Sequence, residues 1–547
     1  MTILDWFIVL IVNGSIIGYG LYLARGTHSS SEWFLAGRSL PWWAVGLSMF
    51  ATNVDNADLV GVTGKTFTEG LHVVTVYALG SAVGGILAAY FLVPKISQLG
   101  LYTNAEYLEV RFGPTARILS ALIQIQYRTS MLGMMIWSTY LVLTKLVDIP
   151  SSAAWGLILL LVALAGLYTA WGGLKSVVWT DSAQGIVMMV AAIVVFVSIW
   201  NAVGGWSALE EKLLAADQRD GTHLADMLHI GSFRGDRDAV SPYMVALGWT
   251  IVGAGYWTVN HTQTMRLMGS RSLTDMKYAA VFGVILSLPV MMISACLGVF
   301  AHGIDGLPPH ETADDLYPIL ANEFLGPGLK GLAVAGMVAA VVSTFDSMGS
   351  ALSAIFTRDV YARLIARNKS DEHYVFVGRI ATVAVLLIGF AYLPFIWKQD
   401  HMLKAFTTLI PVFVTPLFTI YVAGVFTNLH RASGTFGLLC GAAYGLVALY
   451  NRQIAETPVL PHWFTELWVA YSWSIGFTLI PMILASLVLT SRKGEDSTPR
   501  EETGWLQRSR EDLPAFPDAG QRGSLTTWLS ALAVTALSCW IVFVWLW

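Results

Sequence analysis

The stretch FATNVDNADLVGVTG, residues 50–64, interrupts a long apolar run with four polar side chains: Asn53, Asp55, Asn56 and Asp58. A carboxylate at the centre of a membrane helix costs about 2.5–3.5 kcal/mol on insertion scales. The neighbouring glycines are weak helix formers and permit an unwound segment. Unwound backbone at bilayer depth is tolerated where it lines a cavity, and its carbonyls can then bind a cation. The stretch therefore predicts a broken membrane helix; a polar seam between packed helices is the alternative.

The composition indicates an all-α polytopic membrane protein. Of the 547 residues, 55% are hydrophobic and only 12% are charged, and the mean hydropathy is +0.61. Soluble proteins carry about 25% charged residues. The net charge of −4 gives no indication of a nucleic-acid partner. We predict a multi-pass protein of the inner or plasma membrane, with the lipid bilayer and a small-molecule solute as its partners.

About fourteen membrane spans are predicted from apolar blocks long enough to cross a bilayer. They cover residues 4–24, 41–64, 71–93, 118–147, 152–171, 176–202, 240–260, 278–302, 328–357, 375–397, 403–427, 434–450, 467–490 and 525–547. Basic connections such as ARGTHSSSEWFLAGR and RLMGSRSLTDMK fall on one side when the spans alternate. The positive-inside rule assigns that side to the cytoplasm and makes both termini extracytoplasmic.

A second polar cluster lies in the segment AVAGMVAAVVSTFDSMGSALSAIFTRDVY. Ser343, Asp346, Ser347 and Ser350 recur at the spacing of one helical face, and Thr344 follows the first of them. Hydroxyl and carboxylate oxygens suit a hard cation such as sodium. The alternative is that these hydroxyls bond back to their own helix and that small residues serve close packing.

Two further charged residues lie inside predicted spans. Asp181, in GGLKSVVWTDSAQ, is interpreted as a third buried carboxylate, with a surface or cap role near Lys175 as the alternative. Arg128, in IQIQYRTSML, is predicted to neutralise one of the buried aspartates, because an unpaired charge in the membrane is costly.

Several segments resemble the sodium:solute symporter family, which includes the sodium–glucose, proline, pantothenate and sialic acid symporters. In chain order they are GRSLPWWAVGLSMFATN, YTNAEYLEVRFG, YTAWGGLKSVVWTDSAQ and GMVAAVVSTFDSMGSALSAIFTRDVY. The resemblance implies a LeuT-type fold of two inverted five-helix repeats, with solute and ions bound near the bilayer midplane beside broken helices. It also implies one additional N-terminal helix and three additional C-terminal helices.

The resemblance, together with the predicted spans, implies a division of the chain into seven parts. These are a first helix with its cytoplasmic link (1–39), the first repeat (40–202), an extracytoplasmic loop (203–239), the second repeat (240–430), two additional helices (431–490), a cytoplasmic polar segment (491–524) and the last helix (525–547). We expect the protein to function as a monomer.

The resemblance implies a site for Na⁺ made of five oxygens. They are the backbone carbonyls of Ala51, Val54 and Ala340 and the hydroxyls of Ser343 and Thr344. Some family members bind a second sodium, and the matching positions here are Asp181, Ser343, Asp346 and Ser347. Because Asp346 replaces what is usually a hydroxyl residue, two carboxylates are expected to share that second site.

The expected solute-binding residues come from the broken span and from the helices that match the sugar-binding ones of the family. They are Asp55, Asn56, Asp58, Tyr77, Tyr256, Trp257, Asn260, His261 and Gln263. Aromatic faces stack on sugar rings, and amides hydrogen-bond to hydroxyl groups. For the aromatic residues, ordinary packing is the alternative.

These observations predict a sodium-coupled symporter that imports a sugar or related polyhydroxy compound. A cationic or amino-acid-like solute is the alternative within transport, because two carboxylates lie in the expected pocket. A membrane-embedded enzyme using an aspartate with His261 or His72 is disfavoured, since metal-spaced histidines and nucleophile motifs are not found. A solute sensor is disfavoured because the segment 491–524 is too short for a signalling domain.

Overall fold

The computed structural model describes residues 1–23, 29–233, 240–398, 402–453, 455, 459–490, 516–518 and 524–547, and within these ranges it forms helices and no β-sheet. The first helices are α1 (Ile3–Leu23), α2 (Ser30–Leu35), α3 (Trp42–Asn53), α4 (Asn56–Glu69), α5 (Leu71–Gln98), α6 (Asn104–Phe112), α7 (Pro114–Leu141), α8 (Ser151–Val203) and α9 (Gly205–Asp220). They are followed by α10 (Pro242–Val259), α11 (His261–Met268), α12 (Leu273–Ala301), α13 (Leu316–Phe324), α14 (Leu329–Ile365), α15 (Asp371–Ile396), α16 (Met402–Phe426), α17 (Ser433–Gln453), α18 (Leu467–Thr490) and α19 (Leu525–Trp545).

Ten helices of the described chain are long and apolar enough to cross a membrane: α1, α5, α8, α12 and α14 to α19. One of them, α8, has 53 residues and bends at Gly173 into the two predicted spans 152–171 and 176–202. The predicted spans 41–64, 118–147 and 240–260 coincide with α3–α4, α7 and α10, which are shorter or more polar. The all-helical membrane fold is thus confirmed, while the count of fourteen spans stays a prediction.

The bend in α8 requires glycine. Gly173 has φ = +61°, a region that residues with a side chain rarely adopt. A Cβ at this position would lie 2.6 Å from the carbonyl oxygen of Trp33. The indole of Trp33 in turn donates a hydrogen bond to the carbonyl of Ala170, 3.2 Å away. The helix α2 therefore packs into the bend, which separates the two halves of α8.

Two interrupted helices start the two halves of the fold. The first is α3–α4, and the second is α10–α11, which breaks at Asn260 (φ −69°, ψ +111°). Each interrupted helix is followed by four more long helical segments: α5, α7 and the two halves of α8, and then α12, α14, α15 and α16. This order agrees with the expected pair of five-helix repeats. The break at Asn260 was not predicted, because the apolar run ends there and the polar α11 was assigned to a connecting loop.

Glycines bring the two halves into close contact at the crossing of α5 and α10. A Cβ on Gly253 would lie 2.6 Å from the Cα of Gly80, and one on Gly84 would lie 2.8 Å from the Cα of Ala254. The segment GSAVG, residues 80–84, thus serves packing inside the fold, as small residues do between membrane helices.

The acidic loop before α13 covers one end of α4. The backbone N–H of Met402 donates to the Asp314 carboxylate at 2.8 Å. A Cβ on Gly64 would meet the carbonyl oxygen of Ala313 at 2.8 Å, so the loop lies directly on the helix. This part of the loop 303–327, which also contains α13, therefore contacts both α4 and the start of α16.

Most of the predicted polar segment 491–524 lies outside the described residues. Asp518, which is described, accepts hydrogen bonds from the backbone N–H groups of Leu273 and Thr274, both at 2.8 Å. These are the first two residues of α12, whose free N–H groups favour a carboxylate. This short piece is thereby attached to the start of α12.

Candidate functional site

The two carboxylates of the opening stretch cap the second half of the interrupted helix. Helix α3 ends at Asn53, Val54 and Asp55 are extended, and α4 begins at Asn56. The Asp55 carboxylate accepts the N–H of Asp58 at 2.9 Å, while the Asp58 carboxylate accepts the N–H of Asp55 at 3.4 Å. This reciprocal arrangement is a capping box, which satisfies two free N–H groups at the start of a helix. The helix is therefore interrupted at Val54, as predicted.

The interruption frees carbonyl oxygens at the end of α3, where the last four carbonyls have no partner within the helix. The carbonyl of Ala51 accepts the hydroxyl of Ser343 at 3.3 Å. The carbonyl of Thr52 accepts the hydroxyl of Tyr256 at 3.0 Å. Helix α3 thus directs backbone oxygens that have no partner in their own helix toward α14 on one side and toward α10 on the other.

The expected sodium ligands of α14 are buried inside the protein and do not face lipid, and Ser343 is hydrogen-bonded to the interrupted helix at Ala51. Ser343 and Thr344 are completely buried, as are Ala340 and Val54. The hydroxyl of Thr344 has no hydrogen-bond partner in the described part of the chain. A buried hydroxyl without a partner costs about 1–3 kcal/mol. An oxygen-seeking cation at this point supplies that partner, so the residues present fit a sodium ion.

A guanidinium lies where the second ion was expected. Arg266, completely buried on α11, places Nη2 2.8 Å from Oδ2 of Asp181 and also donates to the hydroxyl of Ser347. Its Nε donates to the hydroxyl of Ser48 at 2.6 Å, and that hydroxyl donates to Asp181 at 2.6 Å. The hydroxyl of Ser343 donates to the other oxygen of Asp181 at 2.6 Å. Asp181 is therefore a buried carboxylate whose charge is balanced by an internal cation.

Sequence reasoning missed Arg266. The segment RLMGSRSLTDMK was assigned to a cytoplasmic connection, whereas its first residues form the end of the buried helix α11. One indication was available in the sequence. Asparagine often caps the start of a helix, so Asn260 could have indicated a helix after it that includes Arg266, six residues further on. The correction matters because a charge counted as exposed lies in the core.

Asp346 does not join Asp181. Its Oδ1 accepts the hydroxyl of Thr169 at 3.0 Å, and its Oδ2 has no partner among the described residues. Adjacent positions on a helix point about 100° apart, so Asp346 and Ser347 face different neighbours. Within the described chain no hydrogen bond links the two carboxylates that were expected to share an ion.

Five of the expected solute-binding residues line one cavity beside the interruption: Asp55, Asp58, Tyr77, Tyr256 and Trp257. The hydroxyl of Tyr77 donates to Asp58 at 2.7 Å. Sequence reasoning missed other lining residues from α5, α7, α10 and α16 because their apolar or small character is that of ordinary core. Those on which the later argument depends are Ser81, Met131, Met134, Trp249 and Phe406. Asn53, at the end of α3, also lines the cavity; it was noted as a polar side chain of the opening stretch but was not expected to bind the solute.

The remaining expected solute-binding residues are not part of that cavity's lining. Asn56 donates to the hydroxyl of Thr139 at 3.5 Å. Asn260 caps α11, where its side-chain oxygen accepts the N–H of Thr262 at 3.0 Å. His261 contacts Thr264, and Gln263 donates to the carbonyl of Met49 at 3.3 Å. Asn56 and Gln263 therefore link neighbouring helices, while Asn260 and His261 make contacts within the first turn of α11.

Arg128 does not form the expected ion pair. Within the described residues no carboxylate lies within 4 Å of its guanidinium; Nη1 instead contacts the sulfur of Met131 at 2.7 Å. The guanidinium lies over the ring of Tyr256, 5.3 Å from its centroid, and 6.0 Å from that of Tyr127. Its charge acts on Asp55 only through a longer electrostatic interaction. The predicted pairing is corrected to a cation–π contact beside the cavity.

A separate group of buried charges joins the two halves of the fold at the predicted cytoplasmic side. Arg117 binds Glu106, Glu109 and Asp359 at 3.1, 2.7 and 2.6 Å. Arg363 adds a contact to Glu109 at 2.8 Å. Because Glu106 and Glu109 lie on α6 and Asp359 lies near the end of α14, this cluster ties the first repeat to the second.

Comparisons with known proteins agree with this architecture. The chain is 29% identical over 482 residues to a sodium/glucose cotransporter of Vibrio parahaemolyticus, covering 82% of this chain and 85% of the relative. It is 24% identical over 461 residues to the sodium/sialic acid symporter NanT of Aliivibrio fischeri, covering 83% and 88%.

A solved structure of a Na⁺-coupled sialic acid symporter in a substrate-bound, outward-open state superposes with a TM-score of 0.74 at 19% identity. The match covers 89% of this chain and 98% of that one, which shows the shared fold. Residues 33–441, the greater part of the chain, match the family described as "Sodium:solute symporter family". The interrupted helices, the buried polar site and these matches show that the chain belongs to the sodium:solute symporter family.

Proposed function

We propose that this chain imports a small polyhydroxy, sugar-like solute together with sodium by alternating access. Membership of a symporter family makes the chain a transporter, which sets aside the hypothesis of a membrane-embedded enzyme. The solutes in the names of its relatives, glucose and sialic acid, support a sugar-like cargo. The observation that carries the proposal is the interruption at Val54, beside which the Ala51 carbonyl accepts a hydrogen bond from the Ser343 hydroxyl of α14.

We assign the sodium to the oxygens of Ala51, Val54, Ala340, Ser343 and Thr344. The Ser343 hydroxyl already lies 3.3 Å from the Ala51 carbonyl, and the hydroxyl of Thr344, the next residue of α14, is buried without a partner among the described residues. A sodium ion bound here links α3 to α14 and so joins the first repeat to the second. With both termini extracytoplasmic, as the distribution of basic residues predicts, sodium reaches this site from outside.

We further propose one sodium per cycle. The positions that match the second sodium site, Asp181 and Ser347, are bonded to the Arg266 guanidinium, and Asp346 faces Thr169. A fixed cation repels a second cation at contact distance. The internal guanidinium therefore takes the place of the second ion.

Coupling follows from linkage between the ion and the solute. The solute cavity and the proposed sodium site share the interruption: Asp55 and Asp58 line the cavity, and the carbonyl of Ala51, four residues before Asp55, contacts α14. If sodium stabilises the arrangement of α3 and α4 that forms the cavity, each ligand raises the affinity of the other by the same factor. Release of sodium to the cytoplasm loosens that arrangement and frees the solute.

The first prediction concerns sodium dependence. Purified protein in liposomes, given labelled glucose, myo-inositol and sialic acid, should take up its solute only under an inward sodium gradient. Thr344→Ala should raise the sodium concentration for half-maximal uptake about tenfold, because one ligand oxygen to a charged group is lost.

Thr344→Ser retains the hydroxyl and is the matched control, with a sodium requirement close to that of the wild type. Equal uptake when potassium replaces sodium would contradict sodium coupling. A solute sensor would bind these compounds without moving them across the membrane.

A further inference from the structure

The wall of the solute cavity is mostly aromatic and apolar. Tyr77, Trp249, Tyr256, Trp257 and Phe406 contribute rings to it. Methionine side chains from α7 and aliphatic side chains from α5, α10 and α16 fill the remaining apolar wall. A wall of this kind offers ring faces, which attract cations through their negative quadrupole.

Three of the four polar ring substituents are already hydrogen-bonded to the protein, the first being the hydroxyl of Tyr77, which donates to Asp58. The indole N–H of Trp249 donates to Nδ1 of His72 at 2.9 Å. The hydroxyl of Tyr256 donates to the carbonyl of Thr52 at 3.0 Å. These groups hold the rings in place and are not available to a solute without breaking those bonds. The indole N–H of Trp257 has no partner among the described residues.

Carboxyl groups outnumber cationic side chains at the cavity. Asp55 and Asp58 both line it, and Asp58 is the more exposed of the two. The Arg128 guanidinium lies over the ring of Tyr256, 5.3 Å from its centroid, and among the described residues it forms no ion pair with Asp55 or Asp58. The partners of Asp58 are the hydroxyl of Tyr77 and the backbone N–H of Asp55, so no cationic side chain contacts it in the described chain. One guanidinium thus faces two carboxyl groups.

Neutral hydrogen-bonding groups are few in this wall. Asn53, which is 6% exposed, has an amide Nδ2 without a partner among the described residues. The hydroxyl of Ser81 makes only a long hydrogen bond of 3.5 Å to the carbonyl of Val76. A neutral hexose has five hydroxyl groups, and each one that is buried without a partner weakens binding. The wall can satisfy only part of such a solute.

We propose that the cargo is a small hydroxylated amine, such as an amino sugar or amino alcohol, that binds as a cation. Its ammonium group contacts Asp58 and lies against the rings of Tyr77 and Tyr256. Its oxygen atoms accept hydrogen bonds from the free amide of Asn53. The inference rests on the proposed function, since it names the class of solute carried at the same cavity.

The second prediction tests this solute class by binding to the purified full-length protein in sodium buffer. The probes are glucosamine, glucose and N-acetylglucosamine, at a mildly acidic pH where the amine of glucosamine is protonated. Glucosamine should bind about tenfold or more tightly than either neutral sugar, because only it carries the charge. Choline, added as a competitor, separates attraction by the rings from hydrogen bonding to Asp58.

Asp58→Asn removes the charge while keeping the shape of the side chain, and it should abolish the preference for glucosamine. Asp305→Asn is the matched control, because Asp305 is almost fully exposed in the loop 303–327, outside the cavity lining, and its loss should leave the preference unchanged. The inference is overturned if glucose binds as tightly as glucosamine, or if neither glucosamine nor choline binds. These outcomes are distinct from failure of the proposed function, which would appear as uptake that is independent of sodium whichever solute is carried.

Discussion

The pair of Asp181 and Arg266 is the most buried ion pair of the described chain, with both side chains completely inaccessible. Such a pair gains little over apolar residues of the same size, but removing one partner leaves an uncompensated charge. The hydroxyls of Ser48, Ser343 and Ser347 complete the hydrogen bonding of both groups. At this site a network, and not an isolated ion, holds α3, α8, α11 and α14 together.

The third prediction follows from that network. Asp181→Asn should destabilise the protein by about 3–5 kcal/mol, because the buried guanidinium loses its counter-charge. The double variant Asp181→Asn with Arg266→Gln removes both charges and should recover much of that loss. Thermal unfolding in detergent measures both variants, and equal melting temperatures for the single and double variants would contradict the pairing.

At the level of single residues, the local sequence predicted which polar residues are buried better than it predicted which groups their side chains contact. Asp55 and Asp58 were identified as buried because they lie in an apolar run, where a carboxylate is costly unless it has a partner or lines a cavity. Asn260 was interpreted as a solute ligand from its match to the family, yet its side chain caps α11 in the described conformation. An amide can serve either purpose, and only its neighbours distinguish them.

At the level of elements, the two interruptions differ in how visible they are. The first carries two carboxylates three residues apart, a capping pattern that can be read locally. The second has a single asparagine between an apolar helix and a polar one, a pattern that also fits the end of a span. A third connection, the loop 303–327, is tied to a distant helix, because Asp314 accepts a hydrogen bond from the first residue of α16.

The fourth prediction concerns that loop. Burial, together with the neighbouring Asp315 charge, raises the pKa of the Asp314 carboxyl to about 7, although the N–H of Met402 opposes the shift. The protonated carboxyl is therefore favoured in the folded state. The stabilisation is fully present below the unfolded pKa of 3.8 and is lost as pH rises to about 7.

Thermal unfolding measured between about pH 4 and pH 8 should show stability falling up to about pH 7 and levelling above it, apart from other titrating groups. Asp314→Asn cannot ionise and should remove this part of the pH dependence. A variant with the same pH profile as the wild type would show that the carboxyl does not titrate in this range.

At the level of the whole molecule, the cluster around Arg117 joins the first repeat to the second, and the proposed sodium site would do the same. The proposed sodium links α3 to α14, while Arg117 and Glu109 link α7 and α6 to the end of α14. An alternating-access cycle must break and remake contacts of this kind between the repeats. In the proposed cycle, the internal charge of Arg266 takes the place of a second sodium ion.

The fifth prediction is thermodynamic. With one sodium per cycle, a tenfold sodium gradient at zero membrane potential should concentrate the solute at most about tenfold, whereas two ions would permit about a hundredfold. The limit is measured in liposomes as the ratio of internal to external solute at steady state. Accumulation well above tenfold would contradict the assignment of Arg266 as the substitute for a second ion.

Composition, hydropathy, and the polar residues and glycines of residues 50–64 were sufficient to predict a helical membrane protein with a broken helix near residue 54. These are properties of near neighbours along the chain, so no folded structure is needed to read them. The partner of Asp181 is different: Arg266 lies 85 residues away, and Ser48, which binds both, lies 218 residues from Arg266. Such contacts depend on how distant helices cross, and helix crossing follows from packing across the whole chain and not from any local stretch.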